Sequence, residues 1–100
     1  MKNHMTAYVI VEMTVSDPVR IEDYRKLAGA SVAQYGGRFV VRGGRSETLD
    51  GDWHPQRLVV IEFPNLDQAK RWHASPEYRA ACKIRDRAAS TRMVVVEGMA

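Results

Sequence analysis

The apolar and polar positions of this chain divide it into segments of two periodicities. Ala7 to Val15 is apolar and β-branched with Glu12 and Thr14 interspersed, and Ser16-Asp17-Pro18 closes it, which predicts a first strand. Asp17 then caps a helix that has Pro18 at its first position, where no amide donor is needed. Ile21, Tyr24, Ala28, Ser31 or Val32, and Tyr35 follow at helical spacing and form its inward stripe. Arg20, Glu22, Asp23, Arg25 and Lys26 cover the other sides, with Glu22 and Lys26 a favourable pair one turn apart. Gly36 is expected to end the helix in a left-handed conformation.

Tyr35 to Gly44 is a short strand held between two glycine pairs. Strict alternation places Arg38 and Arg42 on one of its faces and Phe39 and Val41 on the other, and Gly43-Gly44 is expected to bend or bulge it on the way to Leu49. Asp50-Gly51-Asp52 predicts a turn, lengthened into a loop by Trp53-His54-Pro55. Arg57 to Phe63 is the third strand, stopped by Pro64. Asn65, with Gln68 three residues on, opens a helix whose apolar face is Leu66, Ala69 and Trp72 or His73. Ser75-Pro76 interrupts it and starts a second piece with Tyr78, Ala81, Ile84 or Arg85, and Ala88 inward. Met93 to Glu97 is the fourth strand and Gly98 ends it.

The order strand, helix, strand, strand, helix, strand predicts an α+β fold of ferredoxin-like βαββαβ type, in which a four-stranded antiparallel sheet carries both helices on one face. Residues 7–98 form its single domain and residues 1–6 an N-terminal extension. Leu58 to Ile61 and Met93 to Val96 are apolar at every position, whereas a sheet covered on one face should alternate. The second face therefore needs a cover, and a chain this short has no element left to supply it. A homodimer with two sheets packed face to face is the expectation.

The motifs point the same way. Tyr-Gly-Gly-Arg-Phe-Val-Val-Arg-Gly-Gly at Tyr35 to Gly44, Leu-Asp-Gly-Asp-Trp at Leu49 to Trp53, Val-Val-Ile-Glu-Phe-Pro at Val59 to Pro64 and Trp-His-Ala-Ser-Pro-Glu-Tyr at Trp72 to Tyr78 occur in that order. Taken together they resemble the domain-of-unknown-function family numbered thirteen-thirty, over roughly residues 7–98. The resemblance implies the dimeric α/β-barrel superfamily, in which two ferredoxin-like subunits pair their sheets. It implies no particular reaction, because proteins on this fold include cofactor-free monooxygenases, isomerases, haem-degrading enzymes and regulators.

Composition narrows the chemistry. One hundred residues leave room for one core and no separate catalytic module. Cys82 is the only cysteine, which excludes an internal disulfide and any multi-cysteine metal site. The net charge of +3 is spread along the chain without a basic run interleaved with aromatics, so nucleic acid is not the expected partner. The apolar runs are too short to span a bilayer and no signal-peptide pattern opens the chain, so the expectation is a cytoplasmic protein without membrane contact. The glycine pairs lack the spacing of a nucleotide loop, and His54 and His73 have no second ligand at metal spacing, so no cofactor or metal is expected.

What remains is a pocket for a small, anionic organic molecule between helices and sheet. Arg38 and Arg42 are the candidate anion anchors, with discouragement of edge-to-edge pairing as their alternative role. Glu62, at the end of an otherwise apolar strand, is either a general base or the partner of an arginine. Tyr24, Trp72 and Tyr78 are core residues that would also wall such a pocket. The alternative function is a non-catalytic interaction or regulatory module whose main property is the dimer.

Overall fold

The computed structural model describes residues 5–99, and of the expected N-terminal extension residues 1–4 lie outside the described residues. The chain runs β1 (Ala7–Val15), α1 (Ile21–Gln34), β2 (Arg38–Arg42), β3 (Arg57–Phe63), α2 (Leu66–Ala74), α3 (Pro76–Arg85) and β4 (Ala89–Glu97). Side chains set several of these boundaries. Asp17 Oδ1 accepts from the amides of Val19 at 3.2 Å and Arg20 at 2.9 Å, so the expected cap organises a turn that leads into α1 at Ile21. Gly36 at φ 79° stops that helix. Asn65 caps α2 by accepting from the Gln68 amide at 2.8 Å, and Ser75 caps α3 by accepting from the Tyr78 amide at 3.1 Å.

The antiparallel sheet has the order β2-β3-β1-β4, which is the ferredoxin-like arrangement with β1 and β3 central. Two strand limits differ from the sequence expectation. β2 ends at Arg42 instead of reaching Leu49, because Gly43 turns at φ 72° and its amide makes the last bond to β3, to the Leu58 carbonyl at 2.9 Å. β4 begins at Ala89, because β1 continues to Val15 and pairs with it that far. Glu22 pairs with Arg25 one turn away, where spacing predicts Lys26.

A third difference matters most. Phe39 pairs with Ile61 and Val41 with Val60, so Val40 is an extra residue, a β-bulge inside β2. Arg38, opposite Glu62, faces away from the helices, while Arg42, opposite Val59, shares the helix side with Phe39. The expected shared face of the two arginines is therefore corrected. The bulge shifts the alternation by one residue between them.

On the helix side, Ala7, Val9, Val11 and Met13 of β1 and Val59, Ile61 and Phe63 of β3 pack with Ile21, Tyr24, Ala28 and Val32 of α1 and with Trp72, Tyr78 and Ala81. Fully burying a side chain such as Ile21 or Phe63 contributes about 1.5–3 kcal/mol. Trp72 anchors this core, its ring 4.1 Å from that of Tyr78 and 5.3 Å from that of Phe63. On the opposite face, register aligns Val41, Val60, Ile10 and Val94 in one row across all four strands. Acid–arginine pairs bracket that row, Glu62 with Arg38 at one end and Glu12 with Arg92 at the other. Among the described residues no helix is long and apolar enough to cross a membrane.

Candidate functional site

Between α1 and the sheet lies a narrow cavity of about 30 Å³, room for a water or two. Its walls are apolar, from Val11, Met13, Val59, Ile61 and Met93 of the sheet, Ala28 and Val32 of α1, and Trp72 of α2. Three guanidiniums, of Arg25, Arg42 and Arg57, also line it, and among the described lining residues there is no carboxylate. Each arginine is placed by a local feature. The bulge at Val40 turns Arg42 inward, where it lies over the Phe39 ring at 4.0 Å and donates to the Arg25 carbonyl at 3.1 Å. Arg57 opens β3 on the same side as Val59 and Ile61, and lies against Gly43, where a Cβ would collide with its guanidinium. Arg25 follows Tyr24 on α1 and pairs with Glu22, yet its buried Nε has no hydrogen-bond partner among the described residues.

The electrostatics are one-sided. Burial, and after it the charges of Arg25 and Arg42, hold the Arg57 guanidinium below its ordinary value, with Glu22 the single opposing influence. A site of this kind has donors and positive charge to spare. Paired guanidinium donors match the two oxygens of a carboxylate.

A phenol also lines the cavity. Tyr24 lines the cavity and its hydroxyl lies 2.8 Å from that of Tyr78, to which Arg85 Nη1 donates at 3.1 Å. Burial raises the pKa of Tyr24, and burial followed by its neighbour Tyr24 raises that of Tyr78, so both are phenols at neutral pH. Trp72 Nε1 donates to Ser31 Oγ at 3.0 Å, and Ser31 passes the bond to the Ala28 carbonyl at 2.7 Å, which leaves no loose donor in the cavity wall at that point.

The structure brings Arg42, Tyr24 and Trp72 to this cavity, places Tyr78 directly behind Tyr24, and puts Arg38 and Glu62 on the opposite face of the sheet, bonded to each other. A general-base role for Glu62 has no support from this position, because the strand turns its carboxylate away from the cavity. Sequence reasoning did not single out Arg25 or Arg57. Arg57 was within reach of simple alternation, since it shares the parity of Val59, Ile61 and Phe63. Among the described residues no three His, Cys, Asp or Glu side chains gather as a ligand set.

The fold is shared widely. A protein of unknown function from Rhodopseudomonas palustris superposes with a TM-score of 0.77 at 19% identity, over 98% of this chain and 85% of that one. SnoaB, a cofactor-independent oxygenase from Streptomyces nogalater, does so at 0.65 and 16% identity, over 96% of this chain and 95% of its own. A dimeric protein of unknown function with a ferredoxin-like fold from Bacteroides fragilis reaches 0.63 at 22% identity, over 92% and 95%. At these identities the likeness concerns the fold alone. No curated protein matches the chain in sequence. Residues 6–99 match the family described as a domain of unknown function, DUF1330, and the chain belongs to that family.

Proposed function

We propose that this chain forms a cytoplasmic homodimer, each subunit of which holds a small organic anion between α1 and the sheet. One observation carries the reading: three guanidiniums converge on an apolar cavity whose described lining contains no carboxylate. Like charges held together cost free energy, and an anion at the mouth would offset that cost with charge-assisted hydrogen bonds. Any chemistry on such a ligand would be cofactor-independent and would use Tyr24 as an acid, since the cavity offers a phenol where a base would need a carboxylate or imidazole.

Support for the dimer comes from the open sheet face, where Val41, Val94 and Val96 are 40%, 61% and 48% exposed. Two of the structural neighbours, from Bacteroides fragilis and Thermobifida fusca, are described as dimeric ferredoxin-like proteins. Val94→Glu places a charge in the middle of the apolar row and is expected to yield a monomer by light scattering while the helical circular dichroism persists.

A second reading, a non-catalytic dimeric module, is favoured by the tightness of the cavity, which has room for little more than a water or two. A ligand must shift the arginine side chains to enter. Benzoate against benzamide, followed by thermal unfolding, separates the two readings. The anion reading expects stabilisation by benzoate, about 2.7 kcal/mol at a hundred times its Kd, and none by benzamide. Equal responses would leave the module reading standing.

A further inference from the structure

We infer that the connection between β2 and β3, residues 43–56, is an arm that grips a second copy of this chain, with Leu49 and Trp53 as its contact residues. The inference rests on the dimer reading above and adds a second point of attachment beside the sheet face.

The position of the loop carries it. The connection contains no helix or strand, yet side chains hold it in one shape. Thr48 Oγ1 donates to the Trp53 carbonyl and lies 3.2 Å from His54 Nδ1, while His54 Nε2 lies 3.4 Å from Asp52 Oδ1 and Gly51 turns the tip at φ 80°. At the root of the loop Gln56 Oε1 accepts from the Val15 amide at 2.7 Å. Trp53 then fixes it to the sheet, its Nε1 donating to Glu12 Oε2 at 3.3 Å. Register sets Glu12 opposite Leu58 and Arg92, and out of step with the core residues Val11 and Met13, so it lies on the side away from the helices. The loop is therefore tied to the open face of the sheet, at one end of its apolar row.

What the loop presents there identifies the partner. Leu49 is 93% and Trp53 51% exposed, and a hollow of about 450 Å³ separates the loop from Leu58. Apolar side chains that their own chain holds in water gain free energy when another surface covers them. Two sheets packed face to face stand about 10 Å apart, so a loop tied to the open face runs beside the second copy. The charges agree with that occupant. The tip carries Asp50 and Asp52, and the open face presents the largely exposed guanidiniums of Arg38 and Arg92. Acids and arginines on one surface of one chain are self-complementary, as a two-fold interface requires.

Sedimentation equilibrium of the full chain tests the arm through the dimer dissociation constant. Leu49→Asp is expected to raise that constant on the order of a hundredfold, since a two-fold dimer loses the contact twice. Leu49→Met, which keeps the volume, is expected to stay within about threefold of the parent. Both variants are expected to keep the far-ultraviolet circular dichroism, because Leu49 lies outside the core. Iodide quenching is a second measurement on the unaltered protein. Trp72 is 1% exposed and out of reach of iodide, so quenching reports on Trp53 and is expected to fall as rising concentration drives dimerisation. An unchanged dissociation constant in Leu49→Asp, or Trp53 quenched in the dimer as in the dilute monomer, overturns the arm and leaves the paired sheets standing. A parent protein that sediments as a monomer at every concentration overturns the arm and the dimer together.

Discussion

At the scale of single residues, the cavity wall depends on groups that have one arrangement in which they are satisfied. Ser31 is 1% exposed and supplies the acceptor for Trp72 Nε1. Ser31→Ala leaves that indole N–H buried and unpaired, and chemical denaturation should show a loss of about 1–3 kcal/mol. His73, on α2 outside this cavity, ties stability to pH. Burial, then the charges of Arg79 and Arg85, lower its pKa from the ordinary 6.5, so the unfolded chain takes up the proton first. Stability is then whole above pH 6.5 and is lost as the pH falls through the window below it, down to the folded pKa. Thermal unfolding should record that decline and His73→Gln should flatten it. The sequence shows Trp72 and Tyr78 as inward residues through their spacing, but it does not show which hydroxyl faces which. The pairing of Tyr24 with Tyr78 joins α1 to α3 across a separation of 54 residues and depends on how the two helices pack.

Elements are more legible than residues, and for a definite reason. Caps at Asn65 and Ser75, the stop at Gly36 and the period of each strand are local chemistry, written within a few residues of where they act. The bulge at Val40 is a property of the pairing of β2 with β3, and Val-Val in a strand carries no mark of it. The second glycine pair points to the wrong position for the bulge, since Gly43 makes the turn after the strand. That turn also makes room for Arg57. In Gly43→Ala the new Cβ meets the Arg57 guanidinium, and the positive φ adds a cost of roughly 1 kcal/mol. The expected outcome is a modestly lower melting temperature together with weaker benzoate binding, because the displaced arginine no longer faces the cavity. Loss of stability with benzoate affinity unchanged would detach Arg57 from the site.

The whole molecule uses its sheet twice, with helices on one face and an apolar row on the other, and the unbroken apolar runs of β3 and β4 make this readable in the sequence itself. The arginine cluster is not readable in that way, because its members come from α1, β2 and β3 and meet through the fold. The cluster has a consequence for how the protein responds to salt. Proteins held by ion pairs lose a little stability as ionic strength rises, whereas crowded like charges gain from screening. Raising sodium chloride should therefore stabilise the ligand-free protein, and Arg57→Met, which leaves two cations at the mouth, should show a shallower salt dependence than the parent. The slope of melting temperature against ionic strength thus reads the state of the cavity. Once a carboxylate occupies the mouth the repulsion is gone, and the same addition of salt should weaken what it strengthened before.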